Sequence, residues 1–339
     1  VPDLAKKLVL HSKYNDTLRG INSINPTIPP GANAVNISLG SPDGRHSAGS
    51  VSVLEEFDKV ALSGDQWRKS PLAKRSVAAY DESIIKYDCL EGASFFTAHS
   101  VVLLSETEYL PSLLLSLYFY TKAQAIADKC AYIKFALDPE LESKRDYMLD
   151  KLAFLEENVP AGTLLLIDGP LIAGDVYTYM MRTLERFRKK DIIPVFFVKN
   201  SSSNLVTDNF PGLSGKYNSD MHWAYSLLKP GERTRFFKYV DPHNDVNQKA
   251  FCYLKALDVS PQRVEIHSPT FDLHADDISS LMSLIYYFII AQGSTTNPQL
   301  RPIAIAEVYA REALRLADFR GLAGQMRVIP TMNQVRFGW

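Results

Sequence analysis

Cysteine is scarce in this chain: Cys89, Cys130 and Cys252 are the only three among 339 residues, odd in number, far apart and without a CxxC pair. That pattern argues against a disulfide framework and against a cysteine zinc site, and suits reduced core residues of a cytoplasmic protein. Long apolar runs are missing too, and the opening VPDLAKKLVLHSKYND has no hydrophobic stretch of signal-peptide type, so neither a membrane anchor nor a leader is expected. An excess of one charge sign is absent, with 37 Lys+Arg against 38 Asp+Glu, so any nucleic-acid surface must be a local basic patch. The chain contains no GxSxG, Walker A or dinucleotide glycine pattern, which argues against hydride transfer and nucleotide triphosphate hydrolysis. His99, His222, His243 and His267 fall outside any metal-ligand spacing.

What is present is a large apolar fraction, 46% of the residues, enough for one compact α/β domain with elaborations. Residues 1–75 read as an N-terminal arm or cap, because NPTIPPGANAVNISLGSPDGRHSAGS is rich in Pro, Gly, Asn and Ser and leaves room for one short strand. The main domain is expected over 76–339. SVAAYDES and ASFFTAHSVVLLSE read as strands from their β-branched and aromatic content. PSLLLSLYFYTKAQAIADKCAYIKFA is expected to be helical, as is DPELESKRDYMLDKLAFLEENV, which starts with Asp138 and Pro139. A strand (TLLLIDG), a helix (DVYTYMMRTLERFRKKD) and a strand (IIPVFFVKN) then imply a parallel pair. Residues 201–247 yield no motif. AFCYLKALD and RVEIHSP read as strands, and DDISSLMSLIYYFIIAQ and IAIAEVYAREALRLADF as helices.

Two of these strands end alike, in Asp81 and in Asp168, each after small or branched apolar residues that belong in a sheet centre. Carboxylates at neighbouring strand ends repel, and one must take a proton unless a hard divalent cation neutralises both. Asp150, or Glu142 two turns earlier, could add a third acid from the preceding helix, and Glu307 a fourth from the last long helix. Such a set suits two-metal hydrolysis of a phosphodiester. Plainer roles compete: Asp168 before Gly169 and Pro170 as a turn former, Asp150 and Glu142 as solvated helix residues, and Glu307 as a member of an ion-pair ladder with Arg311 and Arg315. Lys199, at its strand end, and Arg301 are candidate phosphate contacts.

With those residues assembled, the chain resembles the NurA family of DNA-repair nucleases. VAAYDES is similar to the family's apolar strand ending in Asp-Gly-Ser, LLLIDGPLI to its strongest motif, RDYMLDKLAFLEE to the segment with an acidic helix residue, and RPIAIAEVYAREALRLADF to its C-terminal helix. The likeness spans 76–319. It departs from the pattern at Glu82, where glycine is usual, at Asp150, where glutamate is usual, and at the C-terminal helix, where Arg301 and Tyr309 stand in the places of a tyrosine and a histidine ligand. The resemblance implies a ribonuclease H-like mixed sheet flanked by helices, with Asp81, Asp150 and Asp168 catalytic and holding Mn²⁺ or Mg²⁺. Glu307 is the candidate fourth ligand, and Lys199, Arg301 and Tyr309 are DNA contacts. It implies a homodimer that cuts single-stranded DNA and degrades DNA ends beside a HerA-like hexameric ATPase, in break repair or phage defence. The aromatic tail VRFGW is a candidate base-stacking or interface element. The rival expectation is a degenerate, noncatalytic subunit that binds DNA or clamps a translocase.

Overall fold

In the computed structural model the chain is described over residues 49–332, except 106–107, 130–132, 173–176, 243, 292–294 and 296–297, together with residues 16, 19 and 21. The strands in chain order are β1 (Ser50–Val53), β2 (Lys59–Ala61), β3 (Val77–Cys89), β4 (Gly92–Leu104), β5 (Tyr109–Thr121), β6 (Ile133–Phe135), β7 (Leu164–Asp168), β8 (Ile193–Val198), β9 (Glu232–Thr234), β10 (Phe237–Asp241), β11 (Asn244–Lys255) and β12 (Gln262–His267). Among the described residues they form one twelve-stranded sheet in the order β1-β10-β11-β12-β8-β7-β3-β4-β5-β6, with β9 bridging β11 and β2. β3, β4 and β5 form an antiparallel meander, whereas β3, β7 and β8 are mutually parallel. The sheet is mixed and flanked by helices, as the family resemblance implies, and β7 and β8 form the parallel pair that the strand, helix, strand order led us to expect.

Helices α1 (Pro139–Asn158) and α2 (Tyr177–Lys189) cover one face, and α5 (Ile278–Ile290) and α6 (Arg301–Leu316) cover the other. Between them in sequence lie α3 (Asp220–Leu227) and α4 (Ser268–Leu273), and α7 (Phe319–Gln325) follows. The start of α1 follows from its sequence: Asp138 accepts a hydrogen bond from the Leu141 N–H at 3.1 Å, and Pro139 occupies the first turn. Because strand side chains alternate, β7 divides its residues between two cores. Leu164 and Leu166 join Ala79, Val195, Phe197, Ile285, Ile303 and Ala306 beneath α5 and α6. Leu165 and Ile167 join Tyr80, Phe196, Met148, Leu155 and Leu184 beneath α1 and α2. All four β7 side chains are fully buried, each contributing about 1.5–3 kcal/mol, and this fixes the register that aligns the strand ends.

Three sequence expectations change. The segment expected to be helical from residue 111 is mainly strand β5, followed by a single helical turn at Gln124–Ala127 and by β6. Its leucine run fits a helix, but Tyr118, Phe119 and Tyr120 favour a pleated surface, and pairing along the whole length of β4 decides the outcome. Pro111 is tolerated because β6 pairs with Phe119, Tyr120 and Thr121, so that among the described residues this part of β5 is a sheet edge. Second, within the segment read as an arm, β1 and β2 are sheet strands paired with β10 and β9. Glu55 holds them in place, accepting hydrogen bonds from Arg233 Nη1 and Nη2 at 2.7 and 2.9 Å and from the Phe236 N–H at 2.7 Å. Third, the stretch without a motif contains α3, β9 and β10. Cys89 and Cys252 are free and buried, while Cys130, residues 22–48 and the tail from 333 lie outside the described residues. Among the described residues no helix is long and apolar enough to cross a membrane.

Candidate active site

Parallel pairing of β3 with β7 sets Ala79 beside Leu166 and Tyr80 beside Ile167, so the next residues, Asp81 and Asp168, stand side by side where β7 ends. β3 itself does not end at Asp81, as the sequence suggested, but runs on to Cys89 because β4 pairs along its whole length. Alternation assigns both to the face under α5 and α6, together with Lys199 just beyond β8. The Asp81 side chain is 5% exposed and accepts the Glu82 N–H at 2.7 Å. Burial, reinforced by the charge of Asp168, pushes its carboxyl up to about 7. Asp168 is also raised, chiefly by burial, against the opposing pull of Lys199.

Lys199 Nζ lies 3.0 Å from Asp168 Oδ2 and 3.6 Å from Glu307 Oε2 on α6. Burial works against the lysine's charge, yet the surrounding carboxylates, Asp168 foremost, carry its pKa above the ordinary value. Glu307 therefore faces the strand-end acids and is no rung of a ladder; Arg315 pairs with Glu312 instead, at 2.6 Å.

Asp150 is not brought to this group. It lies on α1, across the sheet, where Ser116 Oγ donates to it at 2.7 Å and the Tyr118 hydroxyl also donates. Its neighbour Lys151 turns inward and meets Glu82 at 3.4 Å, with its ammonium 4.5 Å from the Tyr80 ring centroid. Glu142 pairs with Arg145 at 2.6 Å on the helix surface. Arg301 is exposed at the start of α6, and Tyr309, half-buried, packs on the core beneath α5 and α6.

A buried charge cluster behind the site has no counterpart among the sequence candidates. Fully buried Glu265 on β12 takes Lys249 Nζ at 2.6 Å and Arg263 Nε at 2.7 Å. Its second oxygen accepts the Leu171 N–H at 2.8 Å, tethering the loop that follows Asp168. Arg263 Nη1 donates to Ser201 and Ser203 Oγ at 2.8 and 2.5 Å, tethering the loop that follows Lys199. The visible signal was RVEIH, in which two opposite charges two residues apart share one face of a strand that reads as buried. Gly169 permits the sharp exit after Asp168, with φ at +95° and its N–H donating to the Phe197 carbonyl at 2.8 Å.

As donors, Asp81, Asp168 and Glu307 are hard oxygens suited to Mg²⁺ or Mn²⁺. The raised carboxyls of the two aspartates are those of a pair short of positive charge. Among the described residues, however, no group of three or more His, Cys, Asp or Glu side chains is arranged to hold a metal ion, and Lys199 contacts both Asp168 and Glu307. The fit to a divalent ion is therefore one of donor chemistry, with the ammonium of Lys199 as the competing cation.

No curated protein sequence matches the chain. Among solved structures it is similar to the NurA nuclease from Sulfolobus solfataricus, at 10% identity over 97% of this chain and 100% of that one, with a TM-score of 0.50. A NurA bound to dAMP and manganese aligns at 10% identity over 87% and 88% of the two chains, TM-score 0.29. Endonuclease V from Bacillus subtilis aligns at 8% identity over 79% and 88%, TM-score 0.39. The sequence matches the NurA domain over residues 60–311, most of its length and both strand-end aspartates included, and the chain therefore belongs to the NurA family.

Proposed function

We propose that this chain is a metal-dependent DNA nuclease whose hydrolytic centre is built on Asp81 and Asp168. The observation that carries this reading is the pair itself: two carboxylates side by side on adjacent parallel strands, Asp81 buried with its pKa raised to about 7 and Asp168 partly buried beside it. A scaffold has no use for such a costly pair. When bound, Mn²⁺ or Mg²⁺ supplies an activated hydroxide and stabilises charge at the phosphodiester. Manganese is also the ion named in the solved NurA complex with dAMP. Asp81 and Asp168 hold the ion, and Glu307 completes the donor set from α6. Lys199, released from Asp168, is within a side chain's reach of the phosphate that enters, while the Glu265 cluster keeps both loops from drifting.

On the family resemblance, the substrate is single-stranded DNA and DNA ends, and the partner is a HerA-like hexameric ATPase, in end resection or phage defence. A homodimer is supported by Leu113, Leu115 and Leu117, alternate residues of β5 that are 45%, 50% and 49% exposed and form one apolar stripe. A cytoplasmic site of action follows from that setting.

The test is Mn²⁺-dependent cleavage of single-stranded DNA by purified protein, with Asp168→Asn and Asp81→Asn beside it. Cleavage by the wild type, lost in both folded variants, is expected; equal cleavage by Asp168→Asn would sink the reading. One arrangement favours the second reading, a DNA-binding subunit without catalysis: an ammonium already neutralises Asp168 and Glu307. That reading is established if the folded wild type binds DNA and cleaves none in Mn²⁺.

A further inference from the structure

Directly after Lys199 the chain runs into the wall of an open cleft of about 720 Å³ that no assigned role explains. Asn200 and Ser202 line one side, Asn218 and His222 the other, with Tyr225 at one end and Met221 and Pro261 supplying apolar surface. Among the described residues the lining itself holds no carboxylate, and the one that reaches its end, Asp258, is paired with Lys255 and hydrogen-bonded to Tyr225. The side chains of Asn200, Ser202 and Asn218 are exposed and have no partner among the described residues. They leave amide and hydroxyl donors facing the opening. At that end Lys255 Nζ lies 3.7 Å from the Tyr225 ring centroid and is paired with Asp258 at 2.9 Å, so the cleft is close to neutral.

The wall is held firmly. Ser201 and Ser203 both accept from Arg263, whose guanidinium is fixed by Glu265. On the opposite side, Ser219 caps α3 by accepting the His222 N–H at 3.2 Å, and His222 packs edge-on against Tyr217. The backbone that carries the donors is therefore fixed before the ligand arrives, which leaves only their side chains to be ordered on binding.

We propose that this cleft seats an unpaired nucleotide of the substrate strand, next to the phosphate at Asp81 and Asp168. The inference rests on the nuclease reading for its orientation but not for its ligand class. Asn200 and Ser202 lie one and three positions beyond Lys199, about 4–11 Å of extended chain. A strand covers that distance in about one to three nucleotides at ~3.4 Å each. The lining suits a nucleotide: neutral donors for phosphate oxygens and sugar, the rings of His222 and Tyr225 for the base, and Met221 and Pro261 beneath them. Aromatic stacking tolerates any base, so the cleft would grip single strands without reading sequence. A duplex keeps its bases stacked and paired, and gains nothing here.

The test uses the full chain and a short thymidine oligonucleotide carrying one 5-iodouracil, irradiated in EDTA so that no cleavage intervenes. The expected crosslink is to His222 or Tyr225. The double variant Ser202→Asp/Asn218→Asp, altered only at exposed positions, should raise KM for single-stranded DNA by about tenfold, the scale of one lost stacking contact, with kcat within about twofold. Gln325→Glu, which adds one negative charge at an exposed position on α7 away from the cleft, should behave as the wild type. Crosslinks that map elsewhere, or a double variant with unaltered KM, would overturn the cleft and leave the nuclease reading standing. If the crosslink maps to His222 or Tyr225 and the wild type cleaves nothing in Mn²⁺, the cleft stands and the nuclease reading falls.

Discussion

The Lys199 ammonium stands 3.0 Å from Asp168 Oδ2, so the metal-free site already contains a cation of its own. An incoming ion must displace it and is bound more weakly for that reason. Lys199→Met should therefore tighten Mn²⁺ binding in the absence of DNA by about tenfold, a difference of ~1.4 kcal/mol, while weakening the hold on single-stranded DNA through loss of a phosphate contact. Isothermal titration with Mn²⁺ alone, then with DNA alone, separates the two effects. Weaker Mn²⁺ binding by Lys199→Met would show that the lysine helps to assemble the site.

Glu307 shares Lys199 with Asp168, whereas Asp150 accepts from Ser116 and Tyr118 on the other face of the sheet. Asp150→Asn weakens the charged hydrogen bonds from Ser116 and Tyr118, and should cost about 1–3 kcal/mol of stability without moving the Mn²⁺ dependence of cleavage. Glu307→Gln should shift that dependence to higher Mn²⁺ with little change in stability, and Tyr309→Phe should leave it in place. A Mn²⁺ titration of cleavage rate for the three variants checks this. A shift for Asp150→Asn alone would mean that α1 supplies the ligand after all.

Glu265 acts on the site through the loop it holds. Glu265→Gln keeps an acceptor for the Leu171 N–H but strands Lys249 and Arg263 without their anion, a loss of about 3–5 kcal/mol. Cleavage at a temperature where the variant is still folded should fall through kcat, as Asp168 loses its fixed direction. Urea denaturation gives the first quantity and steady-state kinetics the second; a destabilised variant with wild-type kcat would confine Glu265 to stability.

Two groups near the strand ends make stability respond to pH in opposite senses. His99, stacked on Tyr147 and hydrogen-bonded to the Tyr80 hydroxyl at 2.7 Å, is held neutral by burial, its pKa lowered to about 4. Its contribution is full above the ordinary histidine value and is lost as pH falls from there through about 4. Asp81, raised to about 7, contributes stability that is full below the ordinary carboxylate range and is lost as pH rises through 7. In EDTA, Asp81→Asn should therefore be more stable than wild type at pH 8 and lose that advantage at pH 5. Unfolding free energies from urea titrations at both values check the sign.

Legibility in the sequence followed locality. VAAYDES and TLLLIDG announced the strands and the acids they carry because each segment has its own apolar pattern, and one parallel pairing was enough to join the two aspartates. That β3 runs on past Asp81 to Cys89 was hidden, because pairing with β4 carries the more polar half of the strand. Glu307 and Lys199 were visible as isolated charges, but their meeting depends on how α6 lies on the sheet. Asp150 was misplaced in expectation because helix spacing does not say which sheet face the helix covers. The β5 leucines read as helix because the neighbour that pleats them, β4, is supplied by tertiary pairing. Glu265, Arg263 and Lys249 looked like ordinary charges until β11 and β12 closed around them.

The parallel pairing of β3 with β7 also sets a schedule. The β3–β4–β5 meander joins neighbours in sequence and closes over short loops, whereas β7 must return to β3 across the whole of that meander and α1. Contacts between distant segments form late, after the local ones have reduced the entropy of closing the chain. Asp81 is thus in place on a formed hairpin before Asp168 arrives beside it. A newly made chain passes through its early, partly ordered stages with the two acids apart, and their mutual repulsion has to be met only as the central sheet closes.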